Sequence, residues 1–365
     1  MHREDLWPTL HVRQLRDPAT ADAIRAVVDL FPLVHIHKMT DLALVRRCTG
    51  VVSIAWHGDY YYPSGTISNH RWIADFASLP IVELDQRSED HHEMNHFVRA
   101  LPRLPPCLRT LRISESLVED PDDLFEACLG ESHLTSFCLD RVHVFDFDID
   151  EGIRWSGLEA YSSVSIDEYN VEYLVTWLTT TPVERVEFNQ VAVLNTLQDG
   201  TQAFYRALFY CPTLQHLAYT YSQLDGLASV DFASPLPMAT LDLSGNGLNS
   251  TSIKGLCCGL RSSNVVSLDL SHNILDYESV QALVECLPFT RIRELKLNHT
   301  NIGDEGCKQL ANVVPHVASL QHIEVSHCGI TDTGADGLAT MLRATPKLQV
   351  LDLDGNGGVG VGGIE

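Results

Sequence analysis

The chain has 365 residues, 45% of them hydrophobic, and a formal net charge of −23 at pH 7. That is ample material for a core, and a surface of this sign repels phosphate backbones, which argues against nucleic acid and for a basic protein as partner. No apolar run approaches the ~20 residues of a membrane span, and the opening MHREDLWPTLHVRQ lacks the apolar stretch of a signal peptide. The ten cysteines include no C-x-x-C pair and read as buried thiols in a reducing compartment. The sequons at Asn249 and Asn298 are then chance matches, and the expected location is cytoplasmic or nuclear.

In chain order, residues 19–30 (ATADAIRAVVDL) predict an amphipathic helix, so that 1–30 forms an N-terminal capping segment. From Val51 a pattern sets in, with apolar residues at the first, fourth and sixth places of a short stretch. It reads Val51-x-x-Ile54-x-Trp56, Leu79-x-x-Val82-x-Leu84, Leu108-x-x-Leu111-x-Ile113, Leu134-x-x-Phe137-x-Leu139, Leu158-x-x-Tyr161, Val183-x-x-Val186-x-Phe188 and Leu214-x-x-Leu217-x-Tyr219. The spacing varies from 24 to 31 residues, which marks 31–237 as irregular repeats.

From Met238 to the end the repeats are regular. They begin at Met238, Val265, Ile292, Leu320 and Leu348, spaced by 27 or 28 residues, and the ninth places hold Asn246, Asn273, Thr300, Cys328 and Asn356. The short L-x-L segment reads as a strand with its leucines on one side. A helix follows, its buried face at the sixteenth, nineteenth and twenty-third places: Ile253, Leu256, Leu260; Val280, Leu283, Leu287; Cys307, Leu310, Val314; Ala335, Leu338, Leu342. Pro288, Pro315 and Pro346 are expected to stop these helices.

This period and column pattern resembles the ribonuclease-inhibitor-like type of leucine-rich repeat protein. The resemblance implies an α/β leucine-rich repeat solenoid, a horseshoe with parallel strands on the concave face and helices on the convex face. The last repeat has strand and turn but no helix, which suggests a fragment or an incomplete gene model. Leu6-Trp7-Pro8-Thr9-Leu10 resembles the tail of an F-box, which implies the substrate-recognising part of a ubiquitin-ligase adaptor.

Three motifs compete with this reading. His92-Glu93-x-x-His96 matches the zinc-protease pattern, but Met94, Phe97 and Leu101 fall in the helix-core columns, so both histidines should face water, and no third ligand follows. Asp146-Phe-Asp148-Ile-Asp150 has Glu151 and Gly157 where a calcium loop needs Gly and an acid. Gly355-x-Gly357-x-x-Gly360 has only five residues after it, too few for a dinucleotide fold. No cofactor, metal or catalytic set is expected.

Residues between the strand leucines project from the sheet. The fifth places read Glu83, Arg112, Cys138, Ser162, Glu187, Ala218, Asp242, Asp269, Lys296, Glu324 and Asp352. The seventh and eighth add Ser244, Ser271, His272, Asn298, His299, Ser326, His327 and Asp354, and His322 lies at a third place. The expected partner-binding set on the concave face is Asp242, Asp269, His272, Lys296, His299, His322, Glu324, His327 and Asp352. The expected function is a non-catalytic scaffold for a basic protein. Regulation of an enzyme is the alternative, as in ribonuclease inhibitors or the GTPase activator of Ran; no arginine takes the activator's role.

Overall fold

The computed structural model describes residues 10–12, 23, 33–36, 51–57, 81–88, 91–103, 106–130, 133–144, 162–193, 198–222, 224 and 226–357. The chain divides into two compact units, residues 1–165 with 172–183 and residues 166–171 with 184–365. Residues 6–9, the Asp146–Asp150 acidic stretch and Leu158-x-x-Tyr161 lie outside the described residues, as does all but one residue of the 19–30 helix.

In the first unit β1 (Leu10–Val12), β2 (Leu33–Ile36), β3 (Val51–His57), β4 (Ile81–Arg87), β5 (Thr110–Ser114) and β6 (Ser136–Asp140) pair in sequence order, each parallel to the next. Parallel neighbours need a long crossover. Two of the crossovers carry α1 (His91–Ala100) and α2 (Pro121–Leu129); α3 (Val171–Thr180) follows later in the chain. Met94, Phe97, Leu124, Phe125 and Trp177 on these helices are buried. The Trp177 indole N–H donates to the Leu134 carbonyl at 2.8 Å, and its ring meets Phe137 edge-on at 6.0 Å.

The strands of this unit depart from the columns read in the sequence, and Asp85, not Glu83, holds the fifth place opposite Arg112. Leu84 pairs with Leu111 and Gln86 with Ile113, so the repeat opens at Ile81 and the Leu79-x-x-Val82-x-Leu84 frame lies two residues early. Ile81, Leu84 and Gln86 are buried while Val82 is half-buried. The apolar match misled because the sixth place is a glutamine. Ser162, assigned to a fifth place, lies instead in a short antiparallel pairing of Ser162–Ser163 with His143–Val144.

The second unit holds β7 (Arg185–Asn189), β8 (His216–Thr220), β9 (Thr240–Asp242), β10 (Ser267–Asp269), β11 (Glu294–Lys296), β12 (His322–Glu324) and β13 (Val350–Asp352), again parallel in sequence order. The helices are α4 (Gln198–Phe209), α5 (Ser250–Leu260), α6 (Tyr277–Cys286), α7 (Gly303–Val313) and α8 (Asp332–Ala344). The register agrees with the columns: Leu241, Leu268, Leu295, Ile323 and Leu351 pair in one line. Side-chain caps start α5, α6 and α8, where Asn249, Asp276 and Thr331 accept from Ser252, Ser279 and Thr333 N–H groups. Pro288 and Pro315 do not simply end helices; each sits second in a 3₁₀ turn, Leu287–Phe289 and Val314–His316, that tightens the last turn. In α8 the α-helix runs on instead, the phase shifts, and Met341 is buried while Leu342 is 43% exposed. Leu342 is therefore not a core residue.

The asparagine column ties neighbouring repeats. Asn273 is wholly buried, its Oδ1 accepts the N–H groups of Asn246 and Leu248 at 3.1 and 3.0 Å, and its Nδ2 donates to the carbonyls of Leu243 and Leu270 at 3.0 and 2.9 Å. Asn356 does the same for Cys328, Ile330, Val325 and Leu353. At these two corners the buried backbone groups are thus satisfied by one amide. Upstream a serine does half this work: Ser116 and Ser222 hydroxyls accept from the N–H of Ser88 and Val191.

Candidate functional site

The site rests on the eighth place of each repeat, where the chain leaves the sheet. In the second unit this place holds Gln190, Tyr221, Gly245, His272, His299, His327 and Gly355, and every one has φ between 48° and 70°. Glu115 and Arg141 share the left-handed conformation in the first unit. Non-glycine residues rarely adopt it. Here it is held by a repeated hydrogen bond from the eighth N–H to the next repeat's seventh carbonyl: Tyr221 to Ser244, Gly245 to Ser271, His272 to Asn298, His299 to Ser326 and His327 to Asp354, at 2.8–2.9 Å.

One consequence is a ladder of imidazoles. His272 and His299 stack with centroids 4.4 Å apart and planes 12° off parallel; His299 and His327 stack at 4.5 Å and 9°. Adjacent strands lie ~4.8 Å apart, so identical side chains in identical conformation must stack at about this distance. Glycines close both ends. At Gly245 a Cβ would lie 2.6 Å from the Tyr221 ring, and its absence lets Tyr221 lean across to 5.5 Å from the His272 ring. At Gly355 a Cβ would collide with the His327 ring. The three histidines remain exposed at their edges. Burial of its faces, and then repulsion from His272 and His327, hold the His299 pKa below the ordinary histidine value.

Beside the ladder lie the third, fifth and seventh places. Asp242, Asp269, Glu294, Glu324, Asp352 and Asp354 are six carboxylates, Lys296 the one ammonium, and five negative charges stay uncompensated. Lys296 Nζ lies 3.3 Å from Glu294 and 3.6 Å from Glu324, and His322 Nε2 lies 3.1 Å from Glu324. Glu294, His322 and Glu324 form a group of metal-binding type, but Lys296 already supplies a cation there. Tyr221, Asp269, Lys296, Asn298 and Glu324 line an open groove together with His272 and His299 of the ladder.

The acidic residues differ in kind. Asp242, Asp269 and Asp352 each accept the N–H two residues on, from Ser244, Ser271 and Asp354, at 2.8–2.9 Å, and so build the turn. Burial raises the Asp242 pKa, opposed by the Ser244 N–H and assisted by Asp269. For Asp352 the Asp354 N–H bond dominates and lowers the pKa. Glu324 accepts from Asn298 Nδ2 at 2.6 Å, and Glu294 from the Ser267 hydroxyl at 2.8 Å. Of the nine residues expected from the sequence, Asp269, His272, Lys296, His299, Glu324 and Asp352 line this groove, joined by Tyr221, while Asp242, His322 and His327 lie on the same strands and turns outside it. Tyr221 carried a signal, since it is the aromatic in the eighth column above the histidines.

His92 and His96 of the zinc-protease match lie exposed on α1, with Met94 and Phe97 in the core. Among the described residues no helix is long and apolar enough to cross a membrane.

The family pattern described as Leucine Rich repeat matches residues 261–284, 291–311 and 318–339. No curated protein matches the chain. Among solved structures it is similar to the leucine-rich repeat-containing protein LegL7 of Legionella pneumophila, at 17% identity over 82% of this chain and 90% of that one, with a TM-score of 0.44. It is also similar to a chain of the yeast Rad7 and Elc1 complex, at 14% identity over 94% of this chain and 84% of that one, with a TM-score of 0.50. Repeat period, parallel register and the match over these three segments together show a leucine-rich repeat fold.

Proposed function

We propose that the chain is a non-catalytic protein-interaction scaffold and that the sheet face of the second unit takes a basic segment of a partner protein. The observation that carries this is the five uncompensated negative charges gathered beside an exposed imidazole ladder. Such a field raises the encounter rate of a cationic partner, and a repeat surface multiplies weak contacts along its length. Histidine edges add donors and acceptors at neutral pH without cancelling the field. Asp242, Asp269, His272, Lys296, His299, His322, Glu324, His327 and Asp352 form the proposed contact set. The Leu6–Leu10 resemblance favours the substrate-recognising part of a ubiquitin-ligase adaptor as context.

Hydrogen exchange with a short lysine- and arginine-rich peptide tests the surface. Protection of the seventh- and eighth-place amides from Ser244 to Asp354 supports it. Protection confined to the helices, or equal protection by a glutamate-rich peptide, contradicts it.

A further inference from the structure

We propose that His91, His92 and Glu119 form a binding site for one divalent transition-metal ion of zinc type. The zinc-protease match pairs His92 with His96, yet the fold turns His92 toward a different set. Nδ1 of His91 lies 2.8 Å and Nδ1 of His92 3.5 Å from Oε1 of Glu119, and one ligand atom from each of the three residues lies within 4.8 Å of the other two. The imidazoles face each other at 4.0 Å, tilted by 44°. A tetrahedral ion with bonds of ~2.0–2.1 Å sets its ligands about 3.3 Å apart. The three donors bracket that separation, so small side-chain rotations seat the ion. Two imidazole nitrogens and one carboxylate oxygen are a donor set that zinc, cobalt(II) and nickel(II) accept.

The repeat explains how the set arises. His91 and His92 open α1, and Glu119 lies one period later, between the short strand Leu117–Val118 and the α2 N-cap Asp120. Equivalent positions of successive repeats are neighbours, so a residue 28 further on comes alongside. His91 and Glu119 are about four-fifths buried, which fixes them, while His92 is 74% exposed, which leaves an open side for water as the fourth ligand. Binding requires an unprotonated Nδ1 on each ring. Each neutral imidazole keeps its proton on Nε2, and any displaced proton passes to solvent, so affinity falls as pH is lowered. The ion would join two successive repeats.

The test uses the full chain with cobalt(II) alone as the probe, read by visible absorption, and zinc alone, read by thermal midpoint. The expected result is one tetrahedral cobalt(II) per chain with at least tenfold weaker binding in His91→Ala and in Glu119→Gln, and unchanged binding in His96→Ala. Zinc should raise the midpoint of the wild type but not of Glu119→Gln, whose far-ultraviolet spectrum checks folding. Loss in His96→Ala with retention in His91→Ala would assign the ion to the protease-type pair and overturn the proposal. No saturable binding, or binding equal in all three variants, overturns it as well.

Discussion

Replacing Asn273 by alanine should be the most damaging single polar change in the second unit. The side chain has no exposed surface and bonds five backbone groups: four are the N–H of Asn246 and Leu248 and the carbonyls of Leu243 and Leu270, and the fifth, the Ser271 carbonyl at 3.3 Å, also accepts from the Gly245 N–H and is left out of the sum. A buried backbone group left without a partner costs about 1–3 kcal/mol. Taking the lower end for all four gives a loss of about 4 kcal/mol, a large share of the ~5–15 kcal/mol that holds a domain. Thr300→Val at the next repeat removes a hydroxyl that donates to one carbonyl, Leu297, and should cost only ~1 kcal/mol. Urea unfolding followed by circular dichroism gives the difference, and amide exchange locates it. Repeats couple only to their neighbours, so the lost protection should centre on β9 and β10. An Asn273→Ala loss no larger than that of Thr300→Val would refute the view that this amide closes the corner.

The other predictions concern single sites. Gln86 fills a leucine column with both side-chain polar atoms buried and unpartnered, so Gln86→Met should stabilise the protein by about 1–3 kcal/mol in the same unfolding assay; a loss would show that the amide is needed. Gly245→Ala places a Cβ at φ 70° against the Tyr221 ring and should destabilise by roughly 1–2 kcal/mol, with altered Tyr221 fluorescence; a neutral result would deny the glycine its place in the ladder. The folded pKa of His299 lies below its unfolded value of ~6.5, so the unfolded chain binds more protons there. That stability is full above about pH 6.5 and falls as pH drops through it, and His299→Asn should flatten the fall between pH 7.5 and pH 5.5. The lowered pKa values of Asp276, Asp304 and Asp352 act in a separate window, below ~3.9, where their stabilisation is lost.

Much of the second unit was legible because each column has one physical cause. Leucines, helix faces and ninth-place asparagines recur at 27 or 28 residues, and the strands pair in that register. Legibility failed where a residue type did not match its place. Gln86 hid the true start of its repeat, and the missing 3₁₀ turn after α8 moved the core from Leu342 to Met341. The acidic strip was visible as composition, but the turn-building role of Asp242, Asp269 and Asp352 was not. It depends on each carboxylate bonding its own turn. Nor did the histidines reveal their left-handed backbone, which the glycines at 245 and 355 in the same column hinted at. The pairing of His91 with Glu119 was open to reading by period, since 28 residues separate them.

The salt dependence of binding to a lysine- and arginine-rich peptide tests the central claim most directly. Glu294, Glu324 and Asp354 are the right residues to neutralise, because they accept from the Ser267 hydroxyl, the Asn298 amide and the Gly355 N–H, bonds that a Gln or Asn oxygen can keep, and the Asp242-type turns stay intact. Three charges at ~0.3–0.5 kcal/mol each predict roughly five- to tenfold weaker binding in the combined Glu294→Gln, Glu324→Gln, Asp354→Asn protein, together with a shallower salt slope. Wild-type affinity with an unchanged slope in that variant would contradict the account.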